Sequence, residues 1–307
     1  MAIRFDGRVA IVTGAGGGLG RSHALALAAR GAKLVVNDFG GAIDGRGASS
    51  VMAQKLAEEI RMSGGEAVSH GADVSSAEQV ADMVAATYAR WGRVDILINN
   101  AGIVRDATFA KMDLADFQKV LDVHLMGSVI CTKAVWPLMR EANYGRILMT
   151  SSASGLYGNF GQANYGAAKM ALVGLMNALQ IEGQKNNIHV NTLAPAAATR
   201  MTEAILRPGM AELMKPESVT PAALFLVSEE APRRTILNAA AGAFSRTFIH
   251  ETEGVFLPEA ERTPEAIAAC FDQISDTTGQ HLYTDSRGQV DGFLKKALAA
   301  AQGKSSA

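Results

Sequence analysis

Three side chains near the middle of the chain could together move a proton at neutral pH. Tyr165 and Lys169 lie four positions apart in a segment with helical character, and Ser152 precedes the tyrosine by thirteen residues. Residues i and i+4 share one face of a helix, about 5–6 Å apart at Cβ, so a phenol and an ammonium would lie side by side. A neighbouring cation lowers the pKa of tyrosine from about 10, which suits a general acid or base. Many ordinary helices carry this pair, so the surrounding segments must decide its meaning.

A glycine-rich segment near the start of the chain has the pattern of a phosphate-binding loop. The apolar run at 8–13 indicates a buried strand and leads directly into Gly14-Ala15-Gly16-Gly17-Gly18-Leu19-Gly20, which is followed by a helical pattern. Glycines let the backbone turn sharply and approach a ligand, and the next helix offers free N–H groups to a phosphate. The alternative is a purely structural turn. Between a strand and a helix, the loop predicts a dinucleotide site at Gly14, Gly18, Leu19 and Gly20.

Polar or small residues also follow the later predicted strands. Asp38 comes directly after the strand Lys33 to Asn37, where a dinucleotide fold binds the ribose hydroxyls of adenosine. A carboxylate there repels a 2′-phosphate, so we expect the cofactor to be NAD rather than NADP; Arg46, on the loop beyond, could reach a phosphate. The other candidate cofactor residues are Asp73, Val74, Asn100, Ala101, Gly102, Pro195 and Thr199, together with Tyr165 and Lys169.

The order of predicted elements indicates an α/β fold, because short apolar strands recur about every 25–30 residues with helical patterns between them. We predict a single-domain, doubly wound (Rossmann) parallel sheet of about seven strands with helices on both faces. Residues 1–241 would form the NAD-binding catalytic domain, and residues 242–307 a C-terminal extension packed on it. Ligands of such sheets bind at the carboxyl ends of the strands, where the candidate residues would converge.

Two helical segments bear on the site. One long helix is predicted from Leu114 to about Glu141, with His124 near its middle among apolar neighbours, so that its buried imidazole needs a partner. The segment from Met201 to Leu213, rich in methionine and leucine, is either an amphipathic lid over a substrate or an ordinary packed helix.

Composition excludes several classes of protein. A net charge of −1 gives no sign of a strongly basic surface that would bind nucleic acid or a membrane. The two cysteines, Cys131 and Cys270, make neither a disulfide framework nor a metal site. The sequence shows no leader peptide and no apolar run of about 18 residues. We therefore expect a cytoplasmic protein without a metal and without a membrane or nucleic-acid partner.

Together these motifs resemble the short-chain dehydrogenase/reductase family. Its phosphate loop, Thr-Gly-x-x-x-Gly-x-Gly, matches residues 13–20, its Asn-Asn-Ala-Gly matches residues 99–102, and its Tyr-x-x-x-Lys matches residues 165–169. The resemblance covers about residues 5–240 and implies hydride transfer to a nicotinamide cofactor. It implies that Tyr165 removes the hydroxyl proton, that Lys169 lowers the pKa of the tyrosine and holds the nicotinamide ribose, and that Ser152 donates to the substrate oxygen. It also implies a homodimer or homotetramer.

The chain departs from the family pattern at two positions. His124 stands where the family has an asparagine, which positions a water between the lysine and solvent. An imidazole can also donate and accept, so the resemblance implies that His124 is the fourth catalytic residue. Ala196 follows Pro195 in place of the usual glycine, which leaves the local backbone path and nicotinamide contact open.

Longer runs are similar to the (3R)-3-hydroxyacyl-CoA dehydrogenase units of peroxisomal multifunctional enzymes, among them NNAGIVRDATFA and GRILMTSSASGLYGNFGQANY. This resemblance implies oxidation of (3R)-3-hydroxyacyl-CoA to 3-oxoacyl-CoA with NAD. The chain is too short for the further domains of those enzymes, so we expect the unit to stand alone, with the extension helping to shape the acyl-CoA site. Candidate substrate contacts are Ser152, Tyr157, Asn159, Phe160 and Gln162.

Other functions stay open from the sequence. The same residues would serve a dehydrogenase for a steroid or other bulky secondary alcohol, or a 3-oxoacyl carrier-protein reductase. A non-catalytic NAD-binding protein would keep the glycine loop but would not need Ser152, Tyr165 and Lys169, which are all present.

Overall fold

The computed structural model describes residues 2–202 and 209–303. Its strands are β1 (Val9–Thr13), β2 (Lys33–Asn37), β3 (Glu66–His70), β4 (Ile96–Asn99), β5 (Gly145–Thr150), β6 (Ile188–Ala196), β7 (Ile236–Ala240) and β8 (Ala243–Thr247). Its helices are α1 (Gly18–Ala28), α2 (Val51–Met62), α3 (Ala77–Trp91), α4 (Leu114–Leu121), α5 (Gly127–Glu141), α6 (Ala153–Tyr157), α7 (Ala163–Gly183), α8 (Met210–Leu213), α9 (Thr220–Leu226), α10 (Pro264–Ala269), α11 (Phe271–Ile274) and α12 (Ser286–Gly303).

The strands form one sheet in the order β3-β2-β1-β4-β5-β6-β7-β8, and the pairs from β3 to β7 are parallel. Every residue of β1, β4 and β5 is buried, because helices cover both faces of the sheet. Along β1, Ala10 and Val12 join one apolar core while Ile11 joins the other, as the alternation of side chains in a strand requires. The predicted doubly wound fold is confirmed.

The strand order reverses between β1 and β4, since β1 pairs with β2 on one side and with β4 on the other. The crossovers on the two sides of this point lead to opposite faces of the sheet, and a cleft opens at the carboxyl ends of the strands. The residues predicted to bind a cofactor follow these strand ends.

The sheet has eight strands rather than the predicted seven or so. The additional strand, β8, follows β7 after the two residues Ala241 and Gly242, whose φ angles are 49° and 78°. Two consecutive residues with positive φ form a hairpin turn, so β8 runs antiparallel to β7 at the edge of the sheet. An alanine-glycine pair is a weak hairpin signal, because alanine rarely adopts positive φ.

Several predicted helices also differ from the observed ones. The long helix predicted from Leu114 to Glu141 is interrupted by a π-helical turn at Asp122–Met126. The segment between β5 and α7 contains the short helix α6, which was not predicted from the sequence. Two further short helices, α10 and α11, lie in the C-terminal segment. Of the predicted lid or helix from Met201 to Leu213, residues 203–208 lie outside the described residues, and Met210–Leu213 is a single helical turn.

A charged cluster ties the amino ends of the central strands together. The Asp95 carboxylate, only 1% exposed, accepts a hydrogen bond from the Val9 amide at 2.8 Å. It also pairs with Arg93 at 2.6 Å and with Arg8 at 3.2 Å. Nearby, the buried Arg146 guanidinium donates to three backbone carbonyls. The cluster lies at the end of the sheet opposite the cleft, so its role is structural.

A buried polar contact joins α1, which follows the glycine loop, to α9. The Nδ1 atom of His23 and the Oγ atom of Ser22 lie 2.9 and 2.7 Å from the Thr220 hydroxyl. Among the described residues, no hydrogen-bond partner exists for Nε2 of His23. Burial lowers the pKa of His23 to about 4, so this contact contains a neutral imidazole at neutral pH.

The chain divides into two compact units, Met1–Arg246 and Thr247–Ala307. The first contains the sheet up to β7 and most of β8, together with α1 to α9. The second contains α10, α11 and α12, and within it the Thr252 hydroxyl donates to the Ile274 carbonyl at 2.6 Å. None of the described helices combines the length and the apolar character needed to cross a membrane.

Candidate active site

A cavity of about 420 Å³ lies at the carboxyl ends of the strands. All of the predicted catalytic residues line it, and so do all of the predicted cofactor residues except Gly20. These residues come from segments spread between positions 14 and 199, so the sheet topology is what brings them together. Among the described residues, no group of histidine, cysteine, aspartate or glutamate side chains is arranged to hold a metal ion.

Ser152 and Tyr165 form the reactive pair of the cavity. Ser152 is the N-cap of α6, where its hydroxyl accepts a hydrogen bond from the Ser154 amide at 3.2 Å, and this fixes its position after β5. Tyr165 is on the first turn of α7, and its hydroxyl is hydrogen-bonded to Ser152. Burial raises the pKa of Tyr165, whereas the hydrogen bond from Ser152 lowers it.

Lys169 lies one helical turn beyond Tyr165 and is buried. Its Nζ atom donates to the Thr150 carbonyl at 2.5 Å and lies 5.4 Å from the centroid of the Tyr165 ring. Burial lowers the pKa of Lys169 to about 7. The sequence predicts that Lys169 lowers the pKa of Tyr165, but in the structure burial dominates and the pKa of Tyr165 is raised. The lysine is itself desolvated and carries only part of a charge at neutral pH, so its effect on the tyrosine is small.

His124 lies in the π-helical turn, and its side chain is 1% exposed. Its Nε2 atom is 3.0 Å from the amide nitrogen and 2.7 Å from the carbonyl oxygen of Ile103, so the tautomer decides whether this nitrogen accepts or donates. Its Nδ1 atom has no partner among the described residues. The imidazole ring packs edge-on against Tyr165, with centroids 5.2 Å apart. Burial, and then the charge of Lys169, holds the pKa of His124 well below its usual 6.5.

Two glycines make close packing in this region possible. A Cβ atom on Gly102 would lie 2.3 Å from Cε1 of His124. A Cβ atom on Gly155, in α6, would lie 2.8 Å from the Cβ atom of Lys169. Both distances are shorter than any real carbon–carbon contact, so only glycine allows the histidine and the lysine to occupy their positions.

The glycine loop is held by the end of β4. The Asn100 side chain donates to the carbonyls of Thr13 and Gly14 at 3.0 and 3.1 Å, and the amides of Asn100 and Ala101 donate to the Thr13 hydroxyl. A Cβ atom on Gly20 would lie 2.3 Å from the Gly14 carbonyl oxygen, which explains the glycine although it does not line the cavity. The loop thus leaves an open cradle at the start of α1 that fits a dinucleotide phosphate.

Asp38 follows β2 at the other end of the cavity. Its carboxylate accepts hydrogen bonds from the amides of Gly16 and Gly40, both at 2.7 Å. These bonds fix the carboxylate beside the glycine loop while leaving further lone pairs for ribose hydroxyls. The donor set fits the adenosine half of a dinucleotide.

The remaining predicted cofactor residues line the walls between these ends. Asp73 accepts from the amide and hydroxyl of Ser75 at 2.9 and 2.7 Å, so part of its role is to turn the chain before α3. Pro195 lies near the end of β6, and Thr199, on the loop beyond, approaches Gly18. Val74 packs in the apolar core beneath the cavity.

The loop after Asp38, of which only Arg46 was considered from the sequence, bridges the cavity, although Arg46 itself does not line it. We call residues 39–49 the β2–α2 bridge. Its Ile43 carbonyl accepts from the Val104 amide, and its Asp44 carbonyl accepts from the Arg105 side chain, both at 2.9 Å. Because β1 lies between β2 and β4, the bridge passes above the end of β1. Six of the first seven bridge residues line the cavity: Phe39, Gly40, Gly41, Ala42, Ile43 and Gly45.

Of the four candidate substrate contacts that follow Ser152, two line the cavity and two do not. Asn159 and Gln162 line the cavity, whereas Tyr157 and Phe160 are 72% and 87% exposed and do not line it. The Asn159 side chain donates to Gln162, which in turn donates to the Asp106 carboxylate at 2.8 Å.

Three charged residues of the cavity wall, Asp106, Lys119 and Arg200, were not predicted from the sequence. Asp106 lies four residues after Gly102, and Lys119 lies five residues before His124, but no local pattern marks either side chain as part of the site. Arg200 directly follows Thr199, and its proximity to the strand end was the one available signal.

Comparison with known proteins gives one family. The family model described as "short chain dehydrogenase" matches residues 8–208. The peroxisomal multifunctional enzyme A of Dictyostelium discoideum is 45% identical over 295 residues, which cover 96% of this chain and 66% of that protein. The peroxisomal multifunctional enzyme type 2 of Mus musculus is 47% identical over 277 residues, which cover 89% of this chain and 37% of that protein.

A solved structure gives the same result. The full-length peroxisomal multifunctional enzyme type 2 from Drosophila melanogaster superposes with a TM-score of 0.80 at 36% identity, covering 97% of this chain and 50% of that chain. This chain therefore spans between about a third and two thirds of the length of these relatives.

Proposed function

The chain belongs to the short-chain dehydrogenase family, and we propose that it oxidises (3R)-3-hydroxyacyl-CoA to 3-oxoacyl-CoA with NAD. The family predicted from the motifs is confirmed, and with it the oxidoreductase class. One observation carries the proposal: Ser152, Tyr165 and Lys169 share a single cavity with the glycine loop and Asp38. The substrate class is supported by the similarity to multifunctional enzymes along most of the chain.

In the proposed reaction, the glycine loop and Asp38 would hold NAD, which would supply the acceptor for the hydride that leaves the carbinol carbon of the substrate. The raised pKa keeps the phenol of Tyr165 protonated, so Tyr165 accepts the hydroxyl proton as its own proton passes on towards Lys169; the C–H bond breaks and the carbonyl double bond forms at the same carbon. Ser152 donates a hydrogen bond to the substrate oxygen and keeps it near the phenol. The hydrogen bond between these two side chains supports the assignment, because it holds both hydroxyls at one point of the cavity.

Lys169 and His124 would carry the proton away from the tyrosine. The pKa of Lys169 lies at about 7, where an amine exchanges protons readily at neutral pH. His124 is neutral, and its Nδ1, which has no partner among the described residues, would bind a water molecule of such a relay. Because its Nε2 can either accept from or donate to Ile103, the ring tolerates both tautomers.

The preference for NAD rests on Asp38. Its carboxylate is fixed beside the glycine loop by two backbone amides and would accept from ribose hydroxyls. A 2′-phosphate would bring a second negative charge against it, which costs free energy that NAD binding does not. Ala101 and Val74 would pack on the flat adenine or nicotinamide rings, since both line the same cavity.

The decisive experiment is a cofactor-reduction assay with (3R)- and (3S)-3-hydroxyacyl-CoA of several chain lengths, each with NAD and with NADP. A steroid alcohol and a 3-hydroxyacyl carrier protein serve as competing substrates. We expect NADH formation with the (3R) thioesters. If the thioesters are inert and the steroid alcohol reacts, the proposed substrate is wrong while the dehydrogenase class stands.

Two variants test the residue roles. Tyr165→Phe should lower kcat by about 10²–10⁴-fold with little change in NAD affinity, because it removes the proton acceptor and keeps the ring. Tyr88→Phe, on the outer part of α3, is the matched control and should retain full activity. Equal activity of the two variants would refute the role of Tyr165.

The proposal includes assembly and location. We propose a homodimer or homotetramer in the cytoplasm. Support for assembly comes from α4 and α7, which expose apolar side chains including Leu114, Met170 and Ile181. Light scattering on purified protein measures the assembly state, and a single-subunit mass would contradict it.

A further inference from the structure

Asp106 presents a negative charge in the part of the cavity lined by Gln162. Its carboxylate accepts from Gln162, the residue just before α7, at 2.8 Å. The adjoining backbone is tied to the same region, since the Ala107 amide donates to the Gly161 carbonyl at 3.0 Å. Asn164 donates to the Arg105 carbonyl at 2.9 Å. These bonds hold Asp106 near the start of the helix that carries Tyr165.

No cation neutralises this carboxylate at short range among the described residues. The neighbouring Arg105 guanidinium is directed elsewhere, pairing with Asp116 at 2.6 Å and donating to the bridge. The other charged or titratable side chains that line the cavity are Asp38, Asp73, Lys119, His124, Tyr165, Lys169 and Arg200. Of the groups closest to the reactive tyrosine, His124 is neutral, and burial lowers the pKa of Lys169 to about 7, so at pH 8 the lysine is mostly uncharged and does not offset the negative charge of Asp106.

We propose that Asp106 excludes substrates that carry a free carboxylate beside the reacting alcohol, so that the site selects esterified or thioesterified 3-hydroxyacyl groups over 3-hydroxy acids. The inference rests on the proposed function of Tyr165 and specifies the substrate class of that same site. The negative charge of Asp106 also raises the pKa of Tyr165, which indicates that its field reaches the reacting atoms.

Repulsion between like charges gives the size of the effect. Asp106 is exposed, so an effective dielectric constant of about 40 is used; at that value a substrate carboxylate bound about 6 Å from Asp106 would react about tenfold more slowly. A neutral ester of the same acid experiences no such repulsion. A purely structural Asp106 would instead affect both substrates alike.

The test compares methyl (3R)-3-hydroxybutanoate with (3R)-3-hydroxybutyrate, which differ in charge beside the same alcohol. The measured quantity is the ester-to-acid ratio of kcat/KM at pH 8 with NAD. Asp106→Asn keeps an oxygen acceptor for Gln162 and removes the charge, so we expect the ratio to fall about tenfold. Asp106→Glu should retain the ratio. Asp272→Asn, an exposed site in the second unit, is the control and should also retain it.

Salt gives a second readout. Raising the ionic strength from about 0.01 to 1 M shortens the screening length from about 30 to 3 Å, so the wild-type ratio should fall while that of Asp106→Asn stays constant. The proposal is overturned if the ratio is unchanged in Asp106→Asn, if the wild-type protein oxidises the acid as fast as the ester, or if it oxidises neither probe. The CoA thioester is assayed in parallel. Its failure as a substrate, with the ester still oxidised, refutes the proposed function alone, because the ratio still tests Asp106.

Discussion

An alanine at position 102 should displace the imidazole of His124. In the structure a Cβ atom on Gly102 would lie 2.3 Å from Cε1, 3.0 Å from Nδ1 and 3.1 Å from Nε2 of that ring. The ring cannot move away without losing contacts, because its Nε2 lies within hydrogen-bond distance of the amide nitrogen and the carbonyl oxygen of Ile103, and the ring packs edge-on against Tyr165.

The expected cost follows from two contributions. Forcing one methyl group into a packed interior costs about 1–3 kcal/mol. Loss of the hydrogen bond between His124 and Ile103 adds about 1 kcal/mol. We therefore expect Gly102→Ala to lower the free energy of unfolding by about 2–4 kcal/mol. By the proposed mechanism, kcat should fall as well.

Urea unfolding followed by circular dichroism measures the change, and Gly174→Ala is the matched control. Gly174 lies in α7 with no heavy atom within 4 Å of its Cβ position, so alanine there should stabilise the protein by about 0.5–1 kcal/mol. The double variant Gly102→Ala/His124→Ala tests the cause, since removing the ring should relieve the clash and give a coupling energy of at least about 1 kcal/mol. If the changes in free energy of unfolding of Gly102→Ala and His124→Ala are additive, or if Gly102→Ala is as stable as Gly174→Ala, the expected clash with the His124 ring is wrong.

Three other perturbations have definite expected outcomes. Asp95→Asn should lower the free energy of unfolding by about 3 kcal/mol in urea, because it breaks a buried ion pair, whereas Asp82→Asn, at an exposed site, should change it by less than about 0.5 kcal/mol. For His23 the pKa falls from about 6.5 in the unfolded chain to about 4 in the native state, so the unfolded state binds the proton first as the pH falls. Above pH 6.5 this difference in pKa contributes about 3 kcal/mol to the free energy of unfolding, and the contribution should be lost as the pH falls from 6.5 to 4. In urea titrations the free energy of unfolding of His23→Gln should depend less steeply on pH over that range. Asp38→Asn should reduce the NAD-to-NADP ratio of kcat/KM by about tenfold or more, since a charge that opposes the 2′-phosphate is removed; an unchanged ratio would contradict the role given to this carboxylate.

Much of the fold was predictable because its signals are local. Fully buried strands such as β1 and β5 are short apolar runs, and turns rich in glycine end the helices between them. Once the alternating order implies a parallel sheet, all carboxyl strand ends meet at one edge, and the candidate residues converge without any knowledge of side-chain contacts. The spacing of Tyr165 and Lys169 was informative for the same reason, since it needs only the geometry of one helix.

The rest depends on contacts that leave no local pattern. The π-helical turn around His124 adds a hydrogen-bond register that apolar periodicity does not encode. Asp106 meets Gln162 across 56 positions, so neither residue marks the other in the sequence. The pKa of Tyr165 was predicted in the wrong direction because burial, which only the folded chain reveals, outweighs the neighbouring amine.

The β2–α2 bridge has a kinetic consequence. It is fastened across the cleft by one backbone hydrogen bond, from Val104 to Ile43, and by the Arg105 side chain. Under the proposed function, a dinucleotide held by Asp38 and the glycine loop would leave when these fastenings open, and loop openings of this kind take microseconds to milliseconds. A change that loosens only the Arg105 fastening would therefore shorten the residence time of the cofactor and leave the Asp38 and glycine-loop contacts in place. Exchange rate and affinity would then depend on different residues of this chain.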